Sequence, residues 1–216
     1  MDEHGNRVTE MKVFTNRKSA SSATKDLIIA QLSAQLQKQE RASLMVSGGS
    51  TPTACFELLS ESDLPWSRID VTVTDERNVS PVHADSNENM VRQKLMFANA
   101  GSANFVKLES STVLNLFPFA CTLVGMGEDG HFASLFPDSP QLEDGLCTAA
   151  PVVKVTTPSS PYDRTSASLS TLCASNLIIL LAFGDAKRKL LDAPEGFPIS
   201  HLLSQHNTAV RIIWAP

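Results

Sequence analysis

Ala42-Ser43-Leu44-Met45-Val46, followed at once by Ser47-Gly48-Gly49-Ser50-Thr51-Pro52, is the stretch that decides the fold. A short apolar run bounded by glycines reads as a buried strand ending in a tight turn. Pro52 suits the first turn of a helix, and the sequence continues helically through Phe56 and Leu59. A strand that passes through a Gly-rich turn into a helix is the repeating unit of a parallel sheet.

The same alternation recurs on both sides. Residues 1–10 read as a polar extension ahead of a first strand at Lys12-Val13-Phe14. Residues 18–39 read as a helix with Leu27, Ile28, Leu32 and Leu36 on one face. Asp70 to Thr74 is a strand that ends in Asp75-Glu76-Arg77, residues 87–97 are helical, and residues 120–124 form a strand closing on a second Gly-rich turn. Leu177 to Phe183 is the most strand-like segment, followed by a helix over residues 185–191 and a last strand over residues 209–214. Pro151 to Pro161 is Pro/Ser-rich and reads as a long loop. The expected fold is α/β and Rossmann-like: a mostly parallel sheet flanked by helices, with a small additional lobe, and residues 11–216 forming a single catalytic domain. Sites in such sheets lie at the carboxyl ends of the strands.

Composition narrows the function. At 216 residues, with 42% apolar and 19% charged side chains, the chain has the balance of one globular domain. A domain of that size buries roughly 70% of the surface its unfolded chain exposes, enough to fold without disulfides or a metal. The apolar run at Leu177–Phe183 is seven residues, against the ~18 or more of a membrane helix. No apolar core follows the charged N-terminus, so no secretory signal is expected. The formal charge of −5 argues against nucleic acid as a partner. A small anion remains possible if local cations and backbone N–H groups hold it. Cys55, Cys121, Cys147 and Cys173 are far apart and read as buried free thiols of a reducing cytoplasm. No His/Cys/Asp cluster has metal-ligand spacing.

Four stretches carry chemistry. Ser47-Gly48-Gly49-Ser50-Thr51-Pro52 supplies hydroxyls and N–H groups at a helix N-terminus, a cradle for phosphate, but lacks the Lys of a nucleoside-triphosphate loop. In Asp75-Glu76-Arg77, Arg77 offers a donor fork for phosphate or for a carbonyl gaining negative charge. Gly125-Met126-Gly127-Glu128-Asp129-Gly130-His131 contains a formal G-x-G-x-x-G, yet Pro137 and Pro140 interrupt the helix that a dinucleotide site needs. What it offers instead is a His two residues after an acid in a turn with three glycines, a candidate general base with a carboxylate to fix its tautomer. Arg164 and Lys187 are cations that together with the first loop would neutralise a phosphate dianion. Ser22-Ala23-Thr24-Lys25 matches S-x-x-K without its companion motifs, and G-x-S-x-G is absent. His4, His83, His201 and His206 read as surface or packing residues.

In this order the stretches resemble the 6-phosphogluconolactonases, a family sharing a superfamily with the glucosamine-6-phosphate deaminases. The matching residues are Ser47 to Pro52, Asp75-Glu76-Arg77 with Ser86-Asn87, Gly125 to Pro137, Arg164-Thr165, and Gly184 with Lys187, spanning about residues 12–214. The ending Ala133-Ser134-Leu135-Phe136-Pro137 departs from the Asn-Glu-Pro type of the deaminases. Phe132 stands where the family usually has Thr, the segment between Leu108 and Phe119 is short, and the chain ends at Ala215-Pro216 where relatives usually continue with Asp.

The resemblance implies hydrolysis of 6-phospho-D-glucono-1,5-lactone, a small phosphorylated sugar lactone, with no metal or organic cofactor and no nucleic-acid or membrane partner. The expected cytoplasmic enzyme is a monomer, with a dimer as the alternative. It also implies roles. His131 activates water, Asp129 orients the imidazole or contacts the sugar, and Arg77 with the N–H groups near Gly48 and Gly49 stabilises the oxyanion. Ser47, Gly48, Gly49, Ser50, Thr51, Asp75, Arg164 and Lys187 bind substrate, with Arg164, Lys187, Ser50 and Thr51 on the phosphate. A sugar-phosphate isomerase or deaminase on the same fold, and a non-catalytic sugar-phosphate sensor, are the alternatives.

Overall fold

The computed structural model describes residues 9–216, so the sequence reading of an extension over residues 1–10 lies almost wholly outside it; its last two residues already belong to the first strand. The strands in chain order are β1 (Thr9–Val13), β2 (Ala42–Val46), β3 (Ile69–Val73), β4 (Asp75–Arg77), β5 (Asn104–Phe105), β6 (Cys121–Val124), β7 (Val152–Val155), β8 (Arg164–Ala167), β9 (Leu177–Phe183) and β10 (Ala209–Ala215). The helices are α1 (Arg17–Leu36), α2 (Thr53–Ser60), α3 (Asn87–Lys94), α4 (Ser110–Val113), α5 (Leu142–Cys147), α6 (Leu169–Cys173), α7 (Asp185–Asp192) and α8 (Ile199–Leu203).

Seven strands form one parallel sheet in the order β1-β10-β9-β6-β2-β3-β5. Every residue of β2 and β3 is buried, as expected of strands covered on both faces. From β2 the chain steps to β3 on one side, while its other neighbour is β6, which arrives later. That reversal of direction is the topological switch point where α/β sheets bind ligands.

The buried stripe of α1 runs Ala20, Ser21, Thr24, Ile28, Leu32 and Gln35, which leaves Leu27 and Leu36 on its flank. Polar residues hold inward positions because most of them find partners. Thr24 Oγ1 donates to the Ala20 carbonyl at 2.9 Å, and Gln35 both accepts from Ser43 N–H (3.1 Å) and donates to the Pro118 carbonyl (2.6 Å). Asn16 caps the helix by accepting from Ser19 N–H.

The second sheet is the small lobe: β4-β8-β7, antiparallel. Thr74 is the hinge between the sheets, its N–H donating to Val46 in the large one and its carbonyl accepting from Ala167 in the small one. Two sequence expectations change here. Asp75-Glu76-Arg77 is itself a strand, and the loop expected over Pro151–Pro161 begins with β7. Both strands are short and owe their conformation to β8, a partner remote in sequence. Among the thiols, Cys55 and Cys121 are buried and Cys173 partly so, but Cys147 is exposed.

At the amino ends of the strands, Asp70 ties the sheet edge together. Arg41 donates to its two oxygens at 2.7 and 2.8 Å, and Asn104 of β5 donates at 2.7 Å. Burial pushes this carboxyl up, but the hydrogen bonds from Arg41 and Asn104 and the Arg41 charge outweigh it and leave it below its ordinary value. A depressed carboxyl contributes stability that is present above its unfolded value, about 3.9, and lost as pH falls through the folded one. Asp70→Asn therefore lowers unfolding stability by about 1–3 kcal/mol at pH 7, and the gap to the unsubstituted protein closes below about pH 4 in urea melts run across pH.

Candidate active site

Three loops at the carboxyl ends of adjacent strands meet over the β2–β6 switch. The loop after β2 is anchored by Ser47 N–H donating to the Leu123 carbonyl of β6. Gly49 turns at φ +84°, which only glycine adopts without strain. A Cβ on Gly48 would run into the Asn87 side chain, so glycine here allows the loop and the start of α3 to close together.

The strand after Thr74 sets two site residues and their support. Asp75 is buried, accepting from Ser134 Oγ (2.6 Å), Thr74 Oγ1 (3.0 Å) and Arg164 Nη1 (3.3 Å). Glu76 points to the other side and caps α3. Its carboxylate accepts from the N–H groups of Arg77, Asn87 and Glu88 and from Ser86 Oγ, at 2.7–3.0 Å. Arg77 donates to the Asp85 carbonyl at 2.7 Å, and its Nε is buried without a partner.

The loop after β6 carries His131 and Asp129. Gly130 turns at φ +77°, and Gly127 N–H donates to the His131 carbonyl at 2.9 Å, closing the turn. Asp129 Oδ1 lies 2.6 Å from His131 Nδ1 and also accepts from His131 N–H at 3.2 Å. A carboxylate only accepts, so Nδ1 carries a proton, and in the neutral imidazole Nε2 is then the nitrogen with the lone pair. The imidazole rests on Phe136, ring centroids 4.2 Å apart, and the Arg164 guanidinium packs against the same ring with Cζ 5.3 Å from its centroid. Burial pulls the Arg164 guanidinium below its usual value and Asp75 pulls it back.

These groups line a cleft of about 260 Å³. Nine of the eleven residues singled out from the sequence border it: Ser47, Gly48, Gly49, Ser50 and Thr51 from the first loop, with Asp75, Arg77, His131 and Arg164. Asp129 stands behind the imidazole, as an orienter does. Lys187 is not in this cleft. It lines a neighbouring cavity of about 660 Å³ that shares Ser50 and Thr51 with the cleft, so Lys187 and Arg164 lie in two cavities that meet at one loop. Burial lowers the Lys187 ammonium from its usual value.

Phe132, which stands where the family usually has Thr, is fully buried in the core. Asn87 and Ala133 border the cleft without having been assigned a role. Asn87 belongs to the quoted Ser86-Asn87 pair, which was the available signal; Ala133, at φ +49°, gave none. His83, His201 and His206 are exposed and away from the cleft, and His4 lies outside the described residues. Burial pushes the Cys55 and Cys173 thiols up to about 12, which silences them as nucleophiles at neutral pH. Among the described residues no cluster of three or more His, Cys, Asp or Glu side chains is placed to hold a metal ion, and no helix is long and apolar enough to cross a membrane.

A parallel α/β domain with a His–Asp pair and cationic walls at its switch point defines a class of enzyme that acts on small anionic substrates. Comparison with known proteins specifies the class. Residues 15–210 match the family described as glucosamine-6-phosphate isomerases/6-phosphogluconolactonase, and the chain belongs to that family. It is 33% identical to the 6-phosphogluconolactonase of Caulobacter vibrioides over 225 residues, covering 95% of this chain and 97% of the relative, and 32% identical to that of Neisseria meningitidis over 224 residues, covering 94% and 97%. Its fold superposes on the crystal structure of a 6-phosphogluconolactonase from Shewanella baltica with a TM-score of 0.90 at 32% identity, covering 96% of this chain and 98% of that one.

The dyad geometry depends on Gly127, where a Cβ would collide with both the Asp129 carboxylate and the His131 ring. Gly127→Ala should abolish the downfield Nδ1–H signal of His131 in proton NMR while moving the melting temperature by no more than about 4 °C, the equivalent of ~1 kcal/mol. Gly125→Ala, whose nearest new neighbour is Ser47 Oγ at 3.5 Å, should keep the signal.

Proposed function

We propose that this chain hydrolyses 6-phospho-D-glucono-1,5-lactone to 6-phospho-D-gluconate, the lactone-opening step of the oxidative pentose phosphate pathway. The observation that carries the reading is the His131–Asp129 pair, 2.6 Å apart, with Nε2 free beside the cleft floored by the Ser47–Thr51 loop. Full-length similarity to proteins named 6-phosphogluconolactonase supplies the substrate. Four free cysteines support a reducing, cytoplasmic setting.

The chemistry follows from the residues. His131 Nε2 takes a proton from water as the water oxygen bonds to the lactone carbonyl carbon. The carbonyl oxygen becomes an oxyanion, which Arg77 and the N–H groups of Gly48 and Gly49 stabilise. The tetrahedral carbon then releases its bond to the ring oxygen, and the imidazolium returns the proton to that oxygen, giving the C5 hydroxyl. The new carboxylic acid ionises at neutral pH. Asp129 holds the neutral tautomer and stabilises the imidazolium while it exists. An activated ester needs no covalent nucleophile, in keeping with the silenced thiols. Asp75 positions Arg164, and Arg164 and Lys187 grip the phosphate across the Ser50–Thr51 loop.

Two substitutions divide the labour. His131→Ala should lower kcat by roughly 10²–10⁴-fold with the fold intact, because general-base catalysis contributes that much. Arg164→Ala should raise KM for the phosphorylated lactone by roughly 10- to 150-fold, the worth of a ~1.5–3 kcal/mol charge-assisted contact, and should leave unphosphorylated gluconolactone unaffected. Steady-state kinetics on both lactones, corrected for spontaneous hydrolysis, decides. Near-normal turnover in His131→Ala removes the base assignment, and equal harm to both lactones in Arg164→Ala moves that residue to the carbonyl.

A further inference from the structure

The first turn of α1 breaks the usual rule for helix ends. The macrodipole places positive potential there and favours acidic side chains. This turn has no acidic residue and begins with Arg17 and Lys18. Natural sequences that violate a local rule without compensation tend to do so at functional sites.

Both cations open into the 660 Å³ cavity that holds Lys187 and adjoins the reactive cleft at Ser50 and Thr51. Neither Lys18 nor Lys187 makes an ion pair among the described residues. Arg17 is held in place. Its Nε donates to the terminal main-chain oxygen of Pro216 at 3.0 Å, and its Cζ lies 5.3 Å from the Phe183 ring centroid. Holding the guanidinium by one nitrogen and one face leaves its terminal amino groups available. One helical turn on, Ser21 lines the same cavity, with a fully buried hydroxyl that has no hydrogen-bond partner. An orphaned buried hydroxyl is one that a bound water, ion or ligand would satisfy.

Two of the three carboxylates of the cavity are set away from the Ser50–Thr51 loop. Glu57 lies about 6 Å of helical rise beyond Thr53, the first residue of α2, Glu61 follows the end of that helix, and Glu57 is paired with Lys94. Glu128 stands near Lys187, where it supports that ammonium against Arg17. The cavity therefore sets Arg17, Lys18 and Lys187 against Glu57, Glu61 and Glu128, of which Glu57 is already paired with Lys94.

We infer that Arg17, presented by the first turn of α1 beside the Ser21 hydroxyl, is a substrate-binding residue that grips the 6-phosphate from the cavity side, opposite Arg164. This rests on the lactonase reading and extends it with a residue that none of the sequence motifs contains. A phosphate dianion at the Ser50–Thr51 seam offsets the two cations of α1, and a guanidinium fork matches two of its oxygens.

The test titrates inorganic phosphate into the full chain by calorimetry and measures kinetics on phosphorylated and unphosphorylated gluconolactone. Arg17→Gln should weaken phosphate binding about 10-fold or more and raise KM for the phosphorylated lactone in parallel, with kcat within about threefold and the unphosphorylated lactone unchanged. Arg17→Lys keeps the charge and the stem while losing the fork, and should recover part of the affinity. It also stands in if the Gln variant does not fold. Phosphate affinity and KM unchanged in Arg17→Gln, an equal loss for both lactones, or no binding of phosphate by the unsubstituted protein would each overturn the assignment. If the unsubstituted protein opens neither lactone, the lactonase reading fails while the phosphate titration still decides the role of Arg17.

Discussion

The pairing of β2 between β3 and β6 is the constraint on which everything else depends. Leu44 faces Val71 on one side and Cys121 on the other, and that register brings three chain segments out at one point on the sheet. Ser47 is tied to Leu123 and Thr74 to Val46, so the loops leave the strands already fixed to one another. Thr74 then passes the chain into the small antiparallel sheet, where the register of β4 with β8 sets Arg77 opposite Arg164. The cleft is thus a product of backbone pairing. Side chains from residues 47 to 164 meet there because main-chain hydrogen bonds leave their strands no alternative.

Electrostatically the protein works against its own charge. With a net charge of −5, long-range attraction does not deliver an anion, so local groups must hold it. Arg164 is buried and shared with Asp75, which offsets the cost of desolvating the guanidinium. Lys187 is half-buried and makes no ion pair among the described residues. The two cations reach the same loop from separate cavities, an arrangement suited to a ligand with a dianionic end and a neutral reacting end. At the reacting end, Asp129 holds a proton on Nδ1 of His131, which fixes the tautomer of the neutral imidazole.

Most of this was legible in sequence where the signal is local. A short apolar run followed by glycines marks both a strand and the site at its end, which is why β2, β6 and β9 and the cradle and His131 loops could be read directly. Amphipathic spacing found α1, but with its face rotated, since Ser21, Thr24 and Gln35 are polar residues buried on it and two of them find hydrogen-bond partners within the fold. The small sheet was not legible. Three charged residues, Asp75-Glu76-Arg77, make a strand only because β8 arrives about ninety positions later to pair with them. Glu76 as the cap of α3, Phe132 as a core residue and the separation of Lys187 from the reactive cleft are likewise tertiary facts. No spacing rule contains them.

The central claim is that this site opens a phosphorylated sugar lactone with water. Incubating the unsubstituted protein with freshly made 6-phosphogluconolactone and, separately, with glucosamine 6-phosphate, while following acid release and ammonia, tests it most directly. The account predicts acid release from the lactone well above the spontaneous rate and no ammonia from the amino sugar. Ammonia release, or lactone opening no faster than in buffer, would contradict it.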